Sequence, residues 1–287
     1  MTFDQPFAAL ERCGGRASAG YTTMSPGAPA GPPRTAGPAD RVMPWASVSK
    51  VVTAVAIWVA VEEGVTGWDE PAGPPGSTLR HLLAHASGLA PDSDTVLAPP
   101  GRSRVYSNRG IEVAADHVGR AAGMPFRDYT TEAVLQPLGM TSTSLGNPAH
   151  GAAGTVHDLL RLAAELLRPT LVDRSTLALA TSVAFPGLRG VLPGFGSFPE
   201  NSWGLGVEIR DHKTPHWTGR KNSPATFGHF GRSGSFIWVD PVAGVAAASL
   251  SDCPFGPWAV EAWPALSDAI LLAADRPGPA GGVSALR

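Results

Sequence analysis

The stretch Ser47-Val48-Ser49-Lys50-Val51-Val52-Thr53-Ala54-Val55-Ala56-Ile57-Trp58-Val59-Ala60-Val61-Glu62-Glu63 decides the reading of this chain. It outruns an ordinary strand and is apolar on nearly every face, so it predicts a buried helix in spite of its valines. Gly64 and Gly67 end it, and Ser47 stands at its expected N-cap. Residues three apart share a helix face, which brings the Ser47 hydroxyl and the Lys50 amine within hydrogen-bond reach. Lys50 is the only charge between Arg41 and Glu62. Burial disfavours an ammonium and pulls a lysine down from about 10.4 towards a catalytically useful value. Arginine keeps its proton and cannot do this. Of 22 basic residues only Lys50, Lys213 and Lys221 are lysine, so a lysine here calls for a chemical reason. A helix N-terminus also favours an alkoxide or an oxyanion at the serine, and together these are the parts of an activated nucleophile. On these residues alone the plainer alternative stands beside it, with Ser47 an ordinary cap and Lys50 a first-turn residue reaching for water.

Two further elements lie outward from this helix. Tyr106-Ser107-Asn108 follows the turn-forming Pro99-Pro100-Gly101 and precedes a helix expected from Ile111. There Tyr106 offers a phenol that can shuttle a proton, and Asn108 an amide to orient Lys50 or a substrate carbonyl. Gly228-His229-Phe230-Gly231 stands ahead of a strand-like run. Its His229 can supply a proton or tune a tyrosine, and Gly231 allows substrate close to the backbone.

The rest of the chain frames these elements. Phe7–Arg12 reads as the end of a short helix, Arg16–Met24 as a strand and Ser25–Asp40 as an irregular Pro/Gly/Ala loop. Helical spacing recurs over Thr78–Ala86, Ile111–Ala122, Phe126–Leu138 and Val156–Leu167, which makes a largely helical middle from Val65 to Pro169. Trp203–Ile209, Phe236–Asp240 and Val245–Leu250 are short β-prone runs between Gly, Pro and Asp turns, expected as neighbouring antiparallel strands. Pro257–Ala274 returns to helix, and Arg276–Arg287 reads as a frayed tail.

With 287 residues, 43% hydrophobic and 16% charged, the chain can bury a large core. A net charge of -2 carries no broad basic footprint, so nucleic acid is not an expected partner. No signal segment is visible at Met1–Gly15, which leads to the expectation of a cytoplasmic protein, and no run is long enough to span a membrane. Cys13 and Cys253, far apart and unaccompanied, are expected as two free thiols.

The three chemical elements occur in the order and spacing of a known family. The chain resembles the serine β-lactamase and penicillin-binding protein superfamily, in its class C-like branch with family VIII esterases, DD-carboxypeptidases and D-aminopeptidases. Thr78-Leu79-Arg80-His81-Leu82-Leu83-Ala84-His85-Ala86-Ser87-Gly88-Leu89 is similar to that family's segment after its nucleophile helix. Pro137-Leu138-Gly139-Met140, Trp203-Gly204-Leu205-Gly206 and Gly228 to Ser235 extend the likeness, which runs from Asp40 to Asp252.

The resemblance implies an α+β (mixed α/β) fold, with an antiparallel sheet flanked by the terminal helices and an all-helical lobe. The expected layout is a single domain, with 1–64 and 170–275 as the sheet lobe, 65–169 as the helical lobe and 276–287 as the tail. It makes Ser47 the acylated nucleophile, Lys50 and Tyr106 the proton-transfer pair and Asn108 the orienting amide. His229-Phe230-Gly231 takes the place of the family's Lys-Thr-Gly strand, and the backbone N–H groups of Ser47 and Arg232 form the oxyanion hole. Histidine for lysine and Phe230 for threonine remove donors that hold a substrate carboxylate. That shifts the expectation from β-lactams to a small ester or amide, with esterase-like hydrolysis ahead of D-amino-acid amide or β-lactam hydrolysis and of acyl transfer. A non-catalytic binding module of the same fold is the alternative of another class. The segment before Ser47 leaves little room for the family's usual second strand.

No metal or organic cofactor is expected. His81 with His85, and His212 with His216, have metal-like spacing without the glutamate of His-Glu-x-x-His. No serine lies in Gly-x-Ser-x-Gly, so an α/β-hydrolase elbow has no nucleophile.

Overall fold

A computed structural model describes residues 4–24 and 32–275. The expected tail at 276–287 lies outside the described residues, as do residues 25–31 of the expected loop. A 3-10 helix, Phe7–Cys13, leads into β1, Ala17–Thr23. β2, Arg34–Ala36, then falls in a stretch read as loop. It supplies the second strand before Ser47 in three residues, because it need only pair with Ala19–Tyr21. A two-residue strand follows, β3 at Met43–Pro44, and then a 3-10 turn, Ala46–Val48.

The long apolar helix, α1, runs Ser49–Glu62, and every residue from Ser49 to Ala60 is buried, as its lack of a polar face requires. It starts later than expected: Val48 holds the cap position and Ser47 lies in the preceding turn. Ala46, at φ +46°, turns the chain sharply into the helix. Ser49 instead serves the turn, donating to the Ala46 carbonyl at 2.6 Å and accepting from the Ala152 N–H at 2.9 Å. The Ser47 hydroxyl is thereby spared structural duty.

The middle of the chain supplies α2 (Leu79–Leu83), α3 (Asn108–Ala122), α4 (Phe126–Thr130) with a π-helical turn at Thr131–Leu135, β4 (Ala153–Gly154) and α5 (Val156–Leu167). α2 is shorter than its sequence spacing suggests, since His85 takes φ +53° and turns the chain away. α3 begins earlier than expected, capped by Ser107 Oγ accepting from the Gly110 N–H at 2.9 Å. After α6 (Arg174–Ala180), an unforeseen hairpin forms from β5 (Gly190–Leu192) and β6 (Gly196–Phe198). β7 (Glu208–Ile209), β8 (Phe227–Gly231), β9 (Ser235–Asp240), β10 (Val245–Ser251) and α7 (Pro257–Ala274) complete the described chain.

One six-stranded antiparallel sheet, in the order β2-β1-β10-β9-β8-β7, divides the core. Alternation along the strands sends Phe236, Trp238 and Ala247 to one face and Ile237, Val239, Ala246 and Ala248 to the other. The first face is covered by α7 and the N-terminal 3-10 helix through Trp263, Leu266, Ile270, Phe7 and Leu10. The opposite face meets α5 through Leu159 and Leu160, in a core continuous with α1 to α4. α5, expected within the helical insert, thus packs against β1, β9 and β10.

Cys13 and Cys253 are not free thiols but a disulfide, with Cα atoms 6.0 Å apart. Their separation in sequence is misleading, because antiparallel pairing sets Ala17 opposite Ser251 and so brings the flanking residues together. No helix among the described residues is long and apolar enough to cross a membrane.

Candidate active site

Ser47, Lys50, Tyr106, Asn108 and His229 converge between the sheet and the helices. Lys50 is wholly buried, and its Nζ has three polar neighbours: Asn108 Oδ1 at 2.6 Å, the Ala149 carbonyl at 2.8 Å and Ser47 Oγ at 3.1 Å. Two of these oxygens can only accept. A neutral amine gives its two hydrogens to them and leaves its lone pair facing the Ser47 hydroxyl. Burial lowers the Lys50 pKa to about 7, against the opposing pull of Asp92 and Glu112. The amine form that can receive a proton is therefore populated near neutrality.

Tyr106 closes the other side of Ser47, with its hydroxyl 2.9 Å from Ser47 Oγ and its ring 4.8 Å from Lys50 Nζ. Burial pushes the phenol pKa up, outweighing the Ser47 hydrogen bond, so Tyr106 stands as a protonated donor. Asn108 lies at the start of α3 and turns its oxygen to Lys50, while its Nδ2 donates to Asp92 Oδ1 at 2.7 Å. Of the two expected uses of this amide, orienting Lys50 is the one seen. The Ala149 carbonyl is brought in from below. Pairing of β3 with β4 and the Trp45 N–H to Ala152 carbonyl bond of 2.9 Å hold that segment under the Ser47 turn.

His229 sits on β8, with Nδ1 2.7 Å from the Phe230 carbonyl. A carbonyl only accepts, so Nδ1 carries the hydrogen and Nε2 is bare, 3.5 Å from the Tyr106 hydroxyl. Burial, then the Lys50 charge, hold its pKa at about 3. The ring is thereby held in its neutral form, with Nε2 turned to the Tyr106 phenol. Gly231 ends β8 where a Cβ would overlap the Trp45 carbonyl oxygen. The chain's own Ser47 turn approaches closely there, and Ser235 Oγ secures it by donating to the same carbonyl at 2.6 Å. Arg232 follows, exposed, with its carbonyl accepting from Phe255 N–H at 2.8 Å. Its own N–H makes no backbone hydrogen bond among the described residues.

A cavity of about 140 Å³ opens on Ser47. Besides the expected residues it is lined by Leu192, Pro193, Trp203, Glu208 and Phe230. Leu192 and Pro193 come from the unforeseen hairpin, and nothing local marks them. Glu208 had a signal in the scarcity of lysine: its buried carboxylate is paired with Lys213, with His216 Nε2 at 3.0 Å and with Trp217 Nε1 at 2.9 Å. Burial opposes this charge, but His216 and Lys213 prevail and hold the acid at about 2. The histidines with metal-like spacing do not converge. His81 Nδ1 lies 2.9 Å from Thr78 Oγ1 at the start of α2, whereas His85 faces Tyr106, and His212 is exposed while His216 is buried.

The sequence profile described as Beta-lactamase matches residues 12–270. The chain belongs to the beta-lactamase family. Members of this family are serine hydrolases, and the arrangement around Ser47 has the serine β-lactamase-like fold as its frame. A crystal structure of a beta-lactamase from Mycobacterium bovis is 52% identical and superposes with a TM-score of 0.88 over 93% of this chain and 99% of that one. EstCE1, described as a hydrolase with promiscuous acyltransferase activity, shares the fold at 19% identity, with a TM-score of 0.71 over 92% of this chain and 95% of its own. Penicillin-binding protein 4* of Bacillus subtilis is 29% identical across 40% of this chain, and the match spans only 34% of that longer relative.

Proposed function

We propose that this family member hydrolyses a small, neutral ester through an acyl-enzyme on Ser47. The observation that carries the reading is the environment of Lys50, whose two obligate acceptors aim its lone pair at Ser47 Oγ. Lys50 takes the serine proton as Ser47 attacks the carbonyl carbon, and the backbone N–H groups of Ser47 and Arg232 receive the oxyanion. Tyr106 hands its proton to the departing alkoxide, and the Lys50 ammonium restores it. Water then attacks the acyl-serine by the same route, returning Ser47 and releasing the acid. Asn108 fixes the amine, and bare His229 Nε2 faces the phenol. The apolar lining from Leu192, Pro193, Trp203 and Phe230 suits a short uncharged acyl group.

A second reading, β-lactam hydrolysis, is favoured by the M. bovis relative at 52% identity. His229 and Phe230 weigh against it, since neither offers a cation or a hydroxyl for a carboxylate. Labelling with a fluorophosphonate and intact-mass measurement test the nucleophile: one adduct on the wild type and none on Ser47→Ala is expected. Equal labelling of both, or of neither, rejects it. Turnover of short nitrophenyl esters, a chromogenic cephalosporin and a D-Ala-D-Ala peptide then separates the substrate classes, with the ester expected to be fastest.

A further inference from the structure

His85 contacts the Tyr106 segment at three points without lining the cavity. Its carbonyl accepts from the Val105 N–H at 2.9 Å, and its Nδ1 accepts from the Ser107 N–H at 3.1 Å. Its ring lies against that of Tyr106, with centroids 4.6 Å apart and planes inclined by 42°. The two hydrogen bonds fall on the residues immediately before and after Tyr106, and the ring contact falls on Tyr106 itself. Trp203 meets the imidazole at 4.6 Å in a T-shaped contact and also touches the Tyr106 ring at 5.8 Å, so the three rings pack on one another.

This placement is costly in itself. Because Nδ1 accepts, the ring hydrogen is on Nε2, and that buried N–H has no partner among the described residues. Burial, then Lys50, hold the imidazole well below its ordinary pKa, so it stays neutral. The backbone of His85 is at φ +53°, in a region that residues with a Cβ enter sparingly. An unpartnered buried donor and a strained backbone coincide beneath the phenol that touches Ser47, and strain of this kind gathers at functional sites.

The geometry points to His85 as the positioning residue for Tyr106: it touches no substrate, and it sets the phenol against Ser47 Oγ by fixing the backbone on both sides and the ring from behind. The inference rests on the proposed acyl-enzyme reading, in which Tyr106 protonates the leaving group. A loss of positioning therefore has a signature that a loss of stability lacks. Reactions with poor alkoxide leaving groups suffer more than those with nitrophenolate, which departs without a proton.

The test uses His85→Gly, which relieves the backbone but removes acceptor and ring, and His85→Asn, which tolerates a positive φ and keeps a side-chain acceptor. With an alkyl ester, His85→Gly is expected to lower kcat about 10- to 100-fold, the scale of a misplaced catalytic group, while KM changes little. The loss is expected to be smaller with the nitrophenyl ester, and His85→Asn is expected to recover part of it. In a Tyr106→Phe background, His85→Gly is expected to add nothing further. Equal losses on both esters, or full additivity with Tyr106→Phe, would overturn the inference while leaving the acyl-enzyme reading intact. A crystal structure of His85→Gly reads position directly, with the Tyr106 hydroxyl expected beyond hydrogen-bond distance of Ser47 Oγ. An unmoved hydroxyl overturns the inference even in a protein that hydrolyses no ester and takes no fluorophosphonate.

Discussion

At the scale of single residues the chemistry turns on Lys50, whose working form is the neutral amine. Its pKa of about 7 gives the sign of the pH dependence. Below that value the ammonium dominates and has no lone pair for the Ser47 proton, so kcat/KM rises with pH through about 7 and levels above it. Asp92 stabilises the ammonium and lies beyond Asn108, to which it is hydrogen-bonded at 2.7 Å. Asp92→Asn removes that charge while an amide oxygen can still receive the Asn108 hydrogen. The ascending limb is therefore expected to move to lower pH with the plateau retained. A pH–rate profile of the two proteins on one nitrophenyl ester decides the matter: a limb that stays put, or moves upward, removes Lys50 as the group it reports. His229 does not generate this limb, since its pKa lies near 3.

At the scale of elements the site is a seam between the end of β8 and the turn that opens α1. Gly231 makes the seam possible, because a Cβ there would overlap the Trp45 carbonyl oxygen and press on Ser235 Oγ and Ala46 Cβ. Gly231→Ala is expected to part the two elements and displace the Arg232 N–H from Ser47. Loss of one oxyanion donor corresponds to a fall of about 100- to 1,000-fold in kcat. The accompanying overpacking costs about 1–3 kcal/mol, so a folded protein should remain for assay. Denaturant titration beside the kinetics separates the two effects, and a variant with wild-type kcat would show that this donor plays no part. The seam also shows what could be read in the sequence. α1, β9, β10 and α7 carry their own hydrophobic pattern and were legible from it. β2 and the β5–β6 hairpin have strands of three residues, too short to carry a period of their own, and of the run expected as a strand at Trp203–Ile209 only its end, β7, is one. Ser47 was read as the cap of α1 because nothing in Trp45-Ala46-Ser47 announces that Ala46, with no glycine to ease it, adopts φ +46°. Ser47, Lys50 and Tyr106 were visible as types and spacings. Asp92, His85 and the Ala149 carbonyl reach the site only through tertiary contacts.

At the scale of the whole molecule, the two ends of the described chain are tied across the sheet, and the tie reaches the site. The Cys13–Cys253 bond joins the end of the N-terminal 3-10 helix to the segment between β10 and α7, across a sequence separation of 240. Two residues past Cys253, the Phe255 N–H bonds the Arg232 carbonyl at 2.8 Å, and the Phe255 ring packs on Phe230 at 5.1 Å. The disulfide thus braces the same end of β8 that approaches Ser47. Closing so long a loop restricts the unfolded chain, and disulfides typically contribute about 2–4 kcal/mol. The Cys13→Ser/Cys253→Ser protein is therefore expected to lose that much in a denaturant titration against the oxidised wild type. Its kcat is also expected to fall, because the Arg232 carbonyl and Phe230 lose a tethered partner. Alkylation under denaturing conditions establishes the starting state, with both cysteines protected until a reductant is added. If both react without reductant, the bond is not formed in the purified protein and the stability comparison is void of its cause. If both are protected but the serine variant unfolds at the wild-type denaturant concentration, the tie contributes no stability, and the packing of α7 and the 3-10 helix on the sheet holds these ends without it.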